Sequence, residues 1–262
     1  MKTVSRILTL VALAGVSILS PLGAQQKGNA REFYEIRVYS FDTAEQRARV
    51  ADYWADAAIP ALNRLGCDRI GLFEESVKQS GESQEKIVAL IPYKTLNQLN
   101  AYDLKLERDK VYRKAAASYL DATKDAPAYK RIESHLLRAM KVKPTLSVPD
   151  TSENRIFEMR EYEGHSETGS ATKIAMFDEV EADIFAESGL DAVFYGKTLI
   201  GANRPSLMYM VWFKDEEEHQ ADWDSFRNNP NWDVARNDPK YKPGGVSGRT
   251  TFMLKPLRGS QL

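Results

Sequence analysis

Two segments of this chain share a motif that constrains everything built around it. Phe33-Tyr-Glu-Ile-Arg-Val-Tyr39 and Ile156-Phe-Glu-Met-Arg-Glu-Tyr162 agree at Glu, Arg and Tyr, each two residues from the next. Two is the period of a β-strand, so each trio lies on one face of a strand. Tyr34, Ile36 and Val38 in the first segment, and Phe157 and Met159 in the second, lie on the opposite face. A fold that contains both strands must bury two apolar faces. It must also satisfy a carboxylate, a guanidinium and a phenol twice over.

The match extends along the chain. At the same spacing Gly66-Cys-Asp68 falls on Gly189-Leu-Asp191. At slightly shorter spacings Ile91-Pro-Tyr-Lys94 falls on Val211-Trp-Phe-Lys214, and His135-Leu-Leu137 on Phe252-Met-Leu254. Matching segments in one order indicate a tandem duplication. In the first half the patterns predict a strand over 33–40 and a helix over 43–65. That helix carries Val50, Trp54, Ala57, Ala58, Ala61 and Leu65 on one face, bends near Ile59 at Pro60 and ends at Gly66. Strands over 69–76 and 86–92, a helix from Leu96 through Leu120 and a strand over 132–140 follow. The second half reads as a strand over 155–162, then a helix from Thr168 to Gly189 carrying Ile174, Phe177, Val180 and Ile184. Strands over 192–197 and 207–213 and a helix over 215–228 come next. Pro230 stops that helix, an irregular stretch runs to Gly248, and a strand covers 249–255.

The order β-α-β-β-α-β in each half is the ferredoxin-like arrangement. Such a sheet keeps its helices on one face and leaves the other bare. Two of them can cover each other or close into a barrel. The expected fold class is α+β: two tandem ferredoxin-like (βαββαβ) repeats, over 31–140 and 155–257, forming a dimeric α+β-barrel-like unit. Residues 141–154, with Pro144 and Pro149, form the linker. In this arrangement the Tyr34, Ile36, Val38 face packs the helices. The candidate ligand-binding residues Glu35, Arg37, Tyr39, Glu158, Arg160 and Tyr162 line the barrel interior.

Residues 1–24 read as a signal peptide. Lys2 and Arg6 precede the apolar run Ile7 to Leu19, and small residues end at Ala24. Export to a periplasm or the medium is therefore expected. The run is too short to span a bilayer, and no later apolar stretch reaches that length, so no transmembrane segment is expected. The chain carries 36 basic and 37 acidic residues. That balance gives no electrostatic reason to bind nucleic acid or an anionic membrane. Cys67 is the one cysteine, so no internal disulfide forms and the core alone holds the fold. Placed after Gly66 at the expected mouth of a strand, it is expected as a small, semi-buried thiol rather than a nucleophile.

The strand pattern Tyr/Phe-Glu-Ile/Met-Arg-x-Tyr resembles the opening of NIPSNAP domains. So does Tyr209-Met-Val-Trp-Phe-Lys-Asp215 with Trp223 downstream, and Asn229-Pro-Asn-Trp232 looks like that family's Asp/Asn-Pro-x-Trp ending. The resemblance covers about 33–255 and is stronger in the second half. In the first, Pro92 stands where the second has Trp212, and no Pro-x-Trp segment occurs. It implies a dimeric α+β-barrel fold. NIPSNAP-like domains have no agreed enzymatic activity. Relatives in the barrel superfamily include cofactor-free monooxygenases, haem-degrading enzymes and stress-induced proteins.

Glu and Arg at i and i+2 on a strand face can pair, and inside a barrel neither charge can stand alone. They serve structure, or the arginine holds a ligand carboxylate or carbonyl while Glu orients it or takes a proton and Tyr donates a hydrogen bond. His135 has no histidine counterpart in the repeat, which favours a packed or surface role over haem ligation. His165 reads as a loop residue. His219 lies one turn from Asp215 in an acidic first turn, so no metal site and no cofactor are expected. Pro243-Gly-Gly245 reads as a turn. The leading functional expectation is an exported, non-catalytic binding protein for a small, partly apolar molecule or a protein partner, with homo-oligomers as further partners. The competing expectation is a cofactor-independent monooxygenase or proton-transfer enzyme. A third is a structural barrel without a ligand. A void beside Arg37 or Arg160 separates the ligand readings from the last.

Overall fold

The computed structural model describes residues 30–79 and 81–262, so the expected signal peptide lies outside the described residues. The strands are β1 (Phe33–Ser40), β2 (Gly71–Glu75), β3 (Ile87–Tyr93) and β4 (Arg131–Ala139). After them come β5 (Ile156–Gly164), β6 (Asp191–Ile200), β7 (Ser206–Phe213) and β8 (Val246–Pro256). They close into an antiparallel barrel in the order β1-β3-β2-β8-β5-β7-β6-β4. Each half contributes four neighbouring strands, its fourth, first, third and second in sequence. The halves meet along two seams, β2 with β8 and β4 with β6. Closure leaves no free sheet edge.

Both faces of the barrel strands are buried, by different partners. The interior is one apolar core drawn from both halves: Tyr34, Ile36, Val38, Phe73, Val88 and Leu90 with Phe157, Met159, Phe194, Met208, Met210 and Leu254. Phe73 and Phe157 meet across the halves with ring centroids 4.8 Å apart. The outer faces pack the helices in two separate cores, one per half. This reverses the face expected for the repeated motif. Tyr34, Ile36 and Val38 point inward. Glu35, Arg37, Tyr39, Glu158, Arg160 and Tyr162 stand on the helix side. The reason is space: an eight-stranded barrel is just wide enough for its own side chains, so its interior takes the face that needs no partners.

In the first half α1 (Ala44–Tyr53) starts at Thr43, whose side chain accepts the Gln46 N–H, and the Gln46 side chain accepts the Asp42 N–H at 2.8 Å. One turn of π-helix, Trp54–Ala58, joins α1 to α2 (Ile59–Arg64). The second half repeats this with α6 (Glu167–Met176), a π-turn over Phe177–Glu181 and α7 (Ala182–Glu187). The two π-turns occupy matched positions. Asp183 stands where the first half has Pro60, so the proline does not cause the irregularity. Gly66 and Gly189 end these helices in the left-handed region, at φ +83° and +89°.

The helix expected to run through Leu120 is three: α3 (Leu96–Leu106), α4 (Lys110–Ala115) and α5 (Ala117–Leu120). Asp109 restarts the chain by capping the Val111 and Tyr112 amides. After α8 (Glu216–Asn228) the stretch expected to be irregular forms α9 (Pro230–Asn237). Pro230 opens it at the position where its missing N–H costs nothing. Residues 141–154 have no regular structure but are fastened to the barrel. Leu146 joins the interior core, Glu32 accepts its N–H at 2.8 Å, and Arg69 holds the same carboxylate at 2.7 Å. No helix among the described residues is long and apolar enough to cross a membrane.

Candidate functional site

On β1 the Glu35 carboxylate accepts from Arg37 Nε at 2.6 Å, from Arg37 Nη2 at 3.0 Å and from the Tyr93 hydroxyl at 2.9 Å. The fork holds Arg37 flat against the sheet. Burial opposes the guanidinium charge, and the Glu35 carboxylate outweighs it. Among the described residues Nη1 has no protein partner, and the side chain keeps 25% of its exposure. This edge opens on a cleft of about 430 Å³ between the sheet and the first-half helices, also walled by Trp54, Tyr53, Tyr93, Tyr112 and Leu62. The Tyr53 and Tyr112 hydroxyls meet at 3.0 Å. Trp54 reaches the wall because the π-turn begins there, an irregularity that recurs at functional sites.

The second half builds a comparable cleft of about 500 Å³, walled by Arg160, Tyr162, Lys173, Glu181, Trp223 and Trp232 among others. Glu158 accepts from Arg160 Nε at 2.5 Å and from Trp223 Nε1 at 2.6 Å, and its second oxygen also lies 2.9 Å from His219 Nε2. The Arg160 guanidinium stacks on the Trp223 ring, 3.8 Å from its centroid. Lys173, 9% exposed, reaches Glu181 at 2.5 Å. Burial raises the Glu181 carboxyl above the usual range, against the pull of Lys173.

Of the six residues singled out in the sequence, Arg37, Arg160 and Tyr162 line the clefts. Glu35 and Glu158 sit behind the arginines and hold them. Tyr39 is fully buried against Trp54 and Tyr129 and lines neither cleft. Sequence reasoning missed Tyr112, Lys173 and Glu181, and it placed Trp54 on the packed face of its helix. The signal for Lys173 was present: a lysine at a core position of an amphipathic helix, two turns from Glu181. His219 is engaged by Glu158, and among the described residues no group of three or more His, Cys, Asp or Glu side chains could hold a metal ion. His165 is exposed. Cys67 is buried, donates to the Pro92 carbonyl at 3.3 Å, and its thiol is pushed up to about 12 by burial and by Asp68, which leaves it unreactive.

Residues 157–261 match the NIPSNAP family model. None of the curated proteins matches the chain. Among solved structures, a "putative monooxygenase" from Fusobacterium nucleatum superposes with a TM-score of 0.55 at 10% identity, over 87% of this chain and 94% of its own. A protein of the same description from Lactobacillus acidophilus gives 0.52 at 10%, over 88% and 98%. An anthrone oxidase-like protein gives 0.52 at 8%, over 89% and 96%. At these identities the likeness is one of fold, and it spans the whole α+β barrel. Trp223 and Trp232, which belong to the family-like pattern of the second half, pack on Arg160 and beside Lys173 in its cleft. What the chain shares with the NIPSNAP family thus lies within residues 157–261, in the second half of the barrel.

Proposed function

We propose that this is an exported α+β-barrel protein of two tandem ferredoxin-like units, 31–140 and 155–257, that binds a small, partly apolar molecule without transforming it. The shared strand order of the halves and their matched π-turns support the duplication. Export rests on the composition of residues 1–24. One observation carries the binding reading. In each half an arginine, pinned by its own glutamate, lies on the wall of a cleft between sheet and helices, within the ~300–1,000 Å³ range of small-molecule sites. A purely structural ion pair has no need of such a space.

Native mass spectrometry of the protein purified from its own host tests this. A bound small molecule is expected, and Arg37→Leu or Arg160→Leu is expected to remove it while the circular dichroism spectrum stays unchanged. Protein that carries nothing, or keeps its passenger in both variants, would return the arginines to a structural role.

A further inference from the structure

We infer that the second-half cleft takes a flat aromatic molecule bearing a carboxylate, which docks against Arg160, Tyr162 and Arg249. This rests on the reading that the helix–sheet clefts bind small molecules, and it names the chemistry that one of them selects.

A pair of hydroxyls at this cleft leaves one proton over. Tyr162 on β5 and Tyr209 on the neighbouring β7 bring their oxygens to 2.9 Å. Tyr209 is fully buried, and among the described residues its hydroxyl meets no other hydrogen-bonding group. Burial raises its phenol well above the ordinary range, so it keeps its proton. A buried O–H without an acceptor is costly, so Tyr209 donates and Tyr162 accepts. Arg160 Nη1 approaches the same Tyr162 oxygen at 3.4 Å, again as a donor. Tyr162 must then send its own proton elsewhere, and no acceptor among the described residues takes it. The residue is partly exposed and lines the cleft, so that proton is left to whatever fills the space.

Charge selects an anion. In the pairing of β5 with β8, Tyr162 lies opposite Arg249 and Arg160 opposite Thr251. These positions share one face, so the two guanidiniums stand diagonally across adjacent strands with Tyr162 beside each. The other charges of the cleft are already matched. Lys173 meets Glu181, the one carboxylate among the lining residues, at 2.5 Å. Glu158 compensates Arg160, and the Trp223 ring fixes the plane of that guanidinium. Arg249 is exposed, lines the cleft and forms no ion pair among the described residues. An entering carboxylate therefore finds one uncompensated guanidinium, a second held in place and a free hydroxyl proton.

The rest of the wall suits an aromatic body. The rings of Tyr162 and Trp232 are partly exposed there, and Trp232 is braced on Phe226 with centroids 4.7 Å apart. A space of about 500 Å³ admits a two-ring molecule against them.

Two probes of one shape test the inference by calorimetry on the full chain: 2-naphthoate and its neutral isostere 2-naphthamide. The acid anion is expected to bind about tenfold more tightly, the worth of one charge-assisted hydrogen bond. Arg249→Gln removes the uncompensated charge from an exposed position and should erase most of that preference. Tyr162→Phe keeps the ring and deletes the proton, and should cut naphthoate affinity about tenfold with an unchanged circular dichroism spectrum. An amide bound as tightly as the acid, a preference that survives Arg249→Gln, naphthoate affinity unmoved by Tyr162→Phe, or no naphthoate binding at millimolar concentration would each overturn the inference. If a co-purifying molecule is found and the preference for the anion is absent, the binding reading stands and this inference falls.

Discussion

At the scale of single residues, the most heavily used atoms are the carboxylate oxygens of Glu158. Arginine, indole and imidazole nitrogens converge on them, and the residue is 2% exposed. Deleting one partner of a buried pair leaves the other uncompensated, which costs far more than the pair contributes. Glu158→Ala is therefore expected to destabilise the protein by about 3–5 kcal/mol in urea titrations. Adding Arg160→Leu should restore part of the loss. A double variant as unstable as the sum of the singles would mean that the two side chains do not act as a pair. The sequence announced this pair through its spacing. It could not announce Trp223 and His219, because the helix that brings them lies far along the chain and only the fold sets its place.

Among the elements, strand period was legible and strand orientation was not. Alternation on β1 and β5 separates two faces correctly, yet both are buried, one by the barrel and one by helices. A period of two cannot say which cover is which. The decision comes from what each space can supply: the interior offers only other apolar side chains, whereas the helix side offers Tyr93, Trp223, His219 and a solvent-facing mouth. The π-turns were hidden for a related reason. One extra residue per turn displaces the apolar pattern without leaving a residue type as its mark. Helix ends were easier, since Gly66 sits at a conformation other residues resist. No atom lies within 4 Å of where its Cβ would be, so Gly66→Ala tests backbone strain alone. A loss of about 1–2 kcal/mol in thermal unfolding is expected, and Gly66→Asn should lose less, because Asn visits this region more readily. Equal stability of all three proteins would contradict the assigned cap.

For the molecule as a whole, the matching segments of the two halves forecast a closed or face-to-face pairing of two sheets, and the barrel supplies it within one chain. Its interior belongs to neither half: Tyr34 packs on Phe194 and Phe73 on Phe157. Leu146 and Leu262 add to the same core from outside the strands. The sequence showed residues 141–154 as a linker by its prolines, and could not show that Leu146 would be tucked into the barrel, because that depends on where the barrel ends.

The two seams differ in a way that bears on how the molecule comes to exist. Ala139 pairs with Gly196, a shorter way down the chain, while Phe73 pairs with Pro256, across most of the described sequence. Drawing two points of a flexible chain together costs more entropy the longer the intervening segment, and contacts of long sequence separation slow folding. The barrel thus has a hinge side that can zip early and a clasp that fastens last. Pulse-labelled hydrogen exchange during refolding should protect amides at the β4–β6 seam before those at the β2–β8 seam, and simultaneous protection of both would show that the cylinder shuts in a single step.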